Sequence, residues 1–388
     1  MCLPHDGAFL LKGSHDARPE SAVEQQRQYH CDALAREGCY PLVDYLLSSW
    51  GDRHLIARCS HYAFSGETVR SFLMRHIVGI CGVAVPLLAA GQAPAVAYSI
   101  TDSIKTGGHG DFYTLDEKTR RLYGTGRYIV DIDRKIVVDS LKDSAGGGFV
   151  IASELGRGFA RSGLFFDLRS FRSLARIPYR GDASVYDPRT RRAFLLADTT
   201  TVIDMRRGSV TARIAIPGAG EFAVADRGGR LYLSMEGLNQ IGVLDAQNFN
   251  ILAHYSVSPG REPNGLAMDI PHRRLFSACD SLLVVLDANN GRVVATIPTD
   301  GHSEENAFDP GTQLVFMPSG HNGLTILHED SPDKYTLVQK IVDPRVTTLR
   351  VIVDERTHRI FLPHTFEDKT FGYEIMSASK PTVSARVQ

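Results

Sequence analysis

The thirty residues "DIPHRRLFSACDSLLVVLDANNGRVVATIP", from Asp269 to Pro298, contain one complete turn of a pattern. An aspartate opens a tight turn through Pro271 to Arg274. An apolar strand follows, then a second strand from Leu282 to Asp287, the turn "NNG", and a third strand over Val293–Pro298. Asn290-Gly291 reads as a two-residue hairpin turn, because both residue types tolerate positive φ.

The same pattern recurs in both directions along the chain. "DEKTRRLYGTG" begins at Asp116, "DPRTRRAFLLA" at Asp187 and "DRGGRLYLSM" at Asp226. "DPGTQLVFMPS" follows at Asp309 and "DERTHRIFLPH" at Asp354. The spacing is close to 40 residues except between the first two copies. That interval of 71 holds a degenerate copy, "SELGRGFARSG", at Ser153. Seven copies of about four short strands make an all-β, seven-bladed β-propeller of four-stranded antiparallel blades. One blade cannot bury both of its faces, whereas seven around a channel can. The segment "YSITDSIK" from Tyr98 matches an outer strand with no strands of its own before it. It is therefore expected to complete the last blade and close the ring.

These residues resemble the YVTN-type seven-bladed propellers of bacteria, whose repeats run through a "DP-T-R" turn, an "LYV" strand, a "V-V-D" strand and a "G-VVATI" strand. The match covers about Lys105 to Pro363. No copy contains the literal YVTN; "LYGT", "FLLA", "LYLS", "LFSA", "VFMP" and "IFLP" stand in its place. The resemblance implies an exported protein. It also implies a shape shared with binding proteins, lactonases and cofactor-linked dehydrogenases, and so does not fix an activity.

Upstream of the repeats the composition changes. Five of the six cysteines and the single tryptophan precede Tyr98, whereas residues 97–388 carry 35 basic and 35 acidic side chains. Arg75 and His76 followed by an apolar run over Ile77–Ala90 and small-residue patterns at Ala93-Pro94-Ala95 and Ala95-Val96-Ala97 have the form of a secretion signal. The run is shorter than the ~20 residues a membrane-spanning helix needs. The chain thus divides into 1–73, an upstream extension or helical segment, 74–97, a signal-like segment, 98–376, the propeller, and 377–388, a tail. A periplasmic or secreted location follows, and one cysteine in the propeller suits it. Near-neutral charge argues against nucleic acid as a partner, and nothing points to stable membrane insertion or to a state beyond monomer.

In a four-stranded meander the "DP-T-R" and "NNG" turns share one face. Loops entering the inner strands share the other, where function concentrates. The loops of this second face place His109, Asp111, Asp182, Arg127, Glu221, Glu236, Glu262, Asn264, Asp280, Glu305, Asn306 and Asn322 around the channel mouth. His109, Asp111, Arg127, Glu221, Glu262, Asn264, Glu305 and Asn306 are the candidate ligand-binding residues. His109, His302, His321 and His364 come from adjoining blades and form a candidate site for a divalent metal, with Asp111 or Glu305 as a carboxylate ligand. A set of Glu221, Asn264 and Asp111 would suit Ca²⁺ instead.

No GxSxG elbow, P-loop or GxGxxG occurs in strand-to-helix context. Cys279, after an apolar strand, reads as buried and inert. The pairs Arg120-Arg121, Arg191-Arg192, Arg206-Arg207 and Arg273-Arg274 read as a solvated rim on the turn face. The reading is a binding or scaffold module for a small molecule or a periplasmic protein. Its alternative is a metal-dependent lactonase-like hydrolase or a cofactor-linked oxidoreductase built on the same face.

Overall fold

The computed structural model describes residues 97–379, apart from 109, 111, 143–147, 179–182 and 219. The chain separates into Met1–Pro86 and Leu87–Gln388. All described residues lie in the second unit; the extension 1–73 and residues 74–96 of the signal-like segment lie outside them.

Seven four-stranded antiparallel sheets follow one another in sequence order. Blade one spans Thr114–Ser140, blade two Phe149–Arg176, blade three Ser184–Ala215 and blade four Ala223–Ser256. Blade five spans Leu266–Pro298, blade six Ala307–Ile341 and blade seven Ile352–Ser379. The inner strands touch their neighbours around the full circle, with Thr114–Asp116 meeting both Phe149–Ala152 and Ile352–Asp354. The degenerate copy at Ser153 is a complete blade.

The ring closes as the sequence implies. Ala97–Lys105 is the outer strand of blade seven, antiparallel to Phe371–Ser379, from Ala97 opposite Ser379 to Lys105 opposite Gly372. The last strand runs to Ser379, three residues beyond the sequence boundary at 376. Tyr98 locks the closure into blade six. Its ring meets Phe316 edge-on at 5.2 Å, its hydroxyl donates to the His358 carbonyl at 2.8 Å, and Gln339 bonds both its N–H and its C=O.

There is no single core. Buried side chains form seven clusters, each a wedge drawn from two adjacent blades. Third strands such as Leu282–Asp287 are buried on both faces, while outer strands such as Ser209–Ala215 alternate exposed and half-buried positions. This pattern matches strands sandwiched between neighbours in the first case and facing solvent in the second.

The hairpin at Asn290-Gly291 differs from the sequence reading. Gly291 is left-handed (φ 75°), but Asn290 is not. The loop is longer: Asp287 bonds the Arg292 carbonyl through its N–H, accepts the Gly291 amide at its carbonyl, and accepts the Asn289 amide at Oδ1. The carboxylate captures the amide two residues on and sets the turn before Asn-Gly can. Asp131, Asp167, Asp204 and Asp245 do the same in their blades.

The arginine pairs also differ, because most are not a solvated rim. Arg121 pairs with Asp131 across its own blade at 2.5 Å. Arg192 lies over the Phe249 ring at 4.9 Å and donates to the Ala246 carbonyl in the next blade. Arg120 and Arg273 reach back to the turn aspartates of the preceding blades, Asp354 and Asp226. Of the four pairs, only Arg206-Arg207 has both residues exposed.

Candidate functional site

The channel mouth is built from loops that enter the inner strands. Phe112 enters from blade one and Phe222 from blade four, across the ring, and their rings meet at 6.2 Å. Such a pair contributes about 0.5–1.5 kcal/mol beyond area burial. Two guanidiniums from other blades lie over Phe112: Arg161 of blade two at 5.9 Å and Arg350 of blade seven at 5.6 Å. Each is a cation–π contact of about 0.5–2 kcal/mol, stronger as water is excluded.

Backbone hydrogen bonds fix these side chains. Gly148 donates to the Phe112 carbonyl and accepts from the Arg161 amide. Its φ is 90°, and a Cβ there would stand 3.2 Å from Arg161 Cδ, so glycine serves both the backbone and the approach. Arg350 ion-pairs with Glu304 of blade six. Glu304 and Glu305 both donate to the Leu349 carbonyl at 3.0 Å, and Val351 donates to the Glu305 carbonyl. Loops of blades six and seven are thus stitched together beside Phe112.

The sequence candidates are distributed as follows. His109 and Asp111 lie outside the described residues, as does Asp182. Glu221 and Asn264 come together, with Asn264 Nδ2 3.5 Å from Glu221 Oε2. Asn306, 3% exposed, donates to the Phe276 carbonyl at 3.0 Å, and Glu305 is buried in the bridge just described. Arg127 lies over Tyr128 at 5.5 Å, and Glu262 is exposed, its amide held by Asn239. Ser303 Oγ, Asn306 Oδ1 and Ser319 Oγ are buried with no protein hydrogen-bond partner. All three belong to blade six or the loop entering it.

Three of the four candidate metal-ligating histidines are described. His302 is half-buried in the loop entering blade six, and His321 is exposed in the 3₁₀ turn Gly320–Asn322. His364 is edge-on to Phe366 at 5.0 Å. Beside it, burial raises Glu374, partly offset by His364 and Arg345. Among the described residues one trio of metal-competent side chains converges, Asp269, His272 and Glu329, on the turn face rather than at the mouth. His302→Ala is expected to leave the urea midpoint unchanged within about 0.5 kcal/mol, since its loop carries no strand core. A larger loss would mean that the imidazole holds the blade-six loop together.

Cys279 is buried, and burial pushes its thiol up to about 11, so it is inert at neutral pH. A groove of about 340 Å³ lined by Asp139, Lys142, Phe171 and Arg172 lies between blades one and two; Leu141 in its wall donates to the Arg127 carbonyl.

No family profile matches this sequence, and no curated protein matches it. Solved structures do match, 1386 chains among them, and a fold so widely shared carries no activity by itself. One is the β-propeller domain of Cps50 (Swd1) from Myceliophteria thermophila. It has a TM-score of 0.59 and 15% identity, and the match covers 73% of this chain and 100% of that one. This likeness extends to the fold: the chain is a seven-bladed β-propeller.

Proposed function

We propose that the chain is an exported binding module of the YVTN type whose channel mouth takes a small ligand or a partner protein's side chain. The observation that carries the reading is the Phe112–Phe222 pair with Arg161 and Arg350 beside it, four side chains from four blades. Aromatic and arginine side chains carry most of the energy at recognition sites. Here the fold delivers them to one spot on loops anchored at the ends of blade strands. The half-buried aromatics offer a stacking face, and the guanidiniums favour a ligand with an anionic or carbonyl group. Export is supported by the order of features: the closing strand starts at Ala97, where the second cleavage pattern ends, so removal of the residues up to either pattern takes at most the strand's first residue and leaves Tyr98 and every blade in place.

A photo-crosslinking residue at Leu238, exposed on the mouth face, is expected to capture a partner in cells. One at Arg206 on the turn face is expected not to, and Phe112→Ala or Phe222→Ala should reduce the Leu238 product at least tenfold. Equal capture from both faces, or capture indifferent to both variants, would overturn the reading. The mass of the protein isolated from its own cells tests export: a start near Val96 to Tyr98 supports it, and a mass that includes Met1 defeats it.

A further inference from the structure

The turn face carries buried aspartates at the ends of six of the seven inner strands, and blade five compensates its own differently from the rest. Asp116, Asp187, Asp309 and Asp354 each accept a hydrogen bond from a threonine three residues on. Most also receive a donor from the following blade. Ser153 reaches Asp116, Arg273 reaches Asp226, His358 reaches Asp309 and Arg120 reaches Asp354. These four carboxylates are thereby compensated across a blade boundary, which offsets the cost of burying their charge, whereas Asp187 is held only by its own turn and its Oδ1 is buried with no partner.

Blade five is built otherwise. The threonine position is His272, whose Nδ1 lies 2.6 Å from Asp269 Oδ2. From blade six, where Arg120, Arg273 and His358 have their counterpart in Gln313, comes a second carboxylate. This is Glu329, 0% exposed, its amide bonded to the Gln313 carbonyl. Glu329 Oε1 accepts from the Tyr335 hydroxyl at 3.2 Å, while Oε2 is buried with no donor. One ligand atom from each of Asp269, His272 and Glu329 lies within 4.8 Å of the other two. Two buried carboxylates thus face each other at the boundary where other blades supply a cation or a neutral donor.

We propose that Asp269, His272 and Glu329 bind a divalent transition-metal ion, with Zn²⁺ the best match, that joins blades five and six. One imidazole nitrogen and two carboxylate oxygens are a borderline donor set that suits Zn²⁺, with solvent completing the coordination on the exposed side of His272. Ca²⁺ takes oxygen ligands, so a set that includes an imidazole nitrogen suits it less well. The ion takes the structural place that Arg120, Arg273 and His358 fill elsewhere in the ring.

The test is a Zn²⁺ titration of the chelator-treated full-length chain by calorimetry and melting, repeated with His272→Ala and Glu329→Gln. The His272 side chain is 45% exposed, so its removal leaves packing intact. The expected result is that wild type binds one equivalent more than either variant and melts higher with Zn²⁺. The Zn²⁺-dependent rise should be lost in both variants. The same stoichiometry and Zn²⁺ response in all three proteins would overturn the proposal and place any bound metal elsewhere in the chain. A metal-free Glu329→Gln protein that melts higher than wild type, with no equivalent lost, would also overturn it. That result would identify the pair as two carboxyls sharing one proton.

Discussion

Deleting Ala97–Lys105 is expected to abolish the cooperative unfolding of the propeller and send the chain into soluble aggregate, read by circular dichroism and size-exclusion chromatography. The strand pairs with Phe371–Ser379 along its length. It buries Tyr98 and Ile104 at 2% exposure each, in two different interblade wedges. Full burial of such side chains is worth about 1.5–3 kcal/mol apiece, and the strand's ladder hydrogen bonds add to that. A domain's whole margin is about 5–15 kcal/mol. The deletion also exposes Phe371–Ser379 as an unpaired edge whose first six residues are buried in the intact blade. A flat apolar edge of this kind pairs with other chains. A synthetic Ala97–Lys105 peptide added during refolding should restore the elution position of the intact chain. An unchanged urea midpoint in the shortened chain would show that blade seven holds without its fourth strand and that the ring is not closed by this contact.

That closure was legible in the sequence because an outer strand has a fixed place in the repeat, so a fourth strand with no partners upstream has one vacancy to fill. The repeat itself was legible because its turn aspartates are constrained by local chemistry: carboxylates such as Asp116 and Asp187 cap an amide and the threonine of their own turn, and Asp226 caps two amides. The mouth was only partly legible. Polar loop residues were the candidates, yet the contacts across the mouth are made largely by Phe112, Phe222, Arg161 and Arg350. A signal for three of them was present. Phe112, Phe222 and Arg350 stand four residues before the turn aspartates Asp116, Asp226 and Asp354, and Glu305 holds the same place before Asp309. Aligning that one column selects residues that enter the mouth at the same height. Arg161 leaves no such trace, since it reaches Phe112 from the loop after a second strand. The arginine pairs were misread for a related reason. Charge and turn position suggest solvent, but an arginine held at φ 59° on a turn, as Arg120 is, points back at the neighbouring blade, and no pattern within one repeat reveals the neighbour.

Arg120→Ala is expected to cost about 3 kcal/mol at pH 7, the low end of the ~3–5 kcal/mol typical of breaking a buried ion pair from one side. The guanidinium grips Asp354 with two bonds, 2.7 Å from Nη1 and 2.5 Å from Nη2, and also holds Glu117 and Asp133. Asp354 is 0% exposed and Arg120 13%. The low end applies because Arg359, 3.2 Å away, stays with the carboxylate. Arg120→Lys should recover less than half of the loss, since a point charge cannot reproduce the fork. The acid limb gives the sharper reading. Burial alone would raise Asp354, but the bonds from Arg120, Thr357 and Arg359 outweigh it and hold the carboxyl well below the usual carboxylate range. A folded value below the unfolded one, about 3.9, means that the stabilisation is complete above that pH and is lost as pH falls toward the folded value. Without Arg120 the buried carboxylate gains a proton more readily. The gap between wild type and Arg120→Ala in urea midpoints should therefore be widest near pH 7 and narrow steadily below about pH 4. A deficit under 0.5 kcal/mol at pH 7, or one that stays constant into acid, would show that the blade-seven to blade-one boundary is held by its apolar wedge and not by this pair.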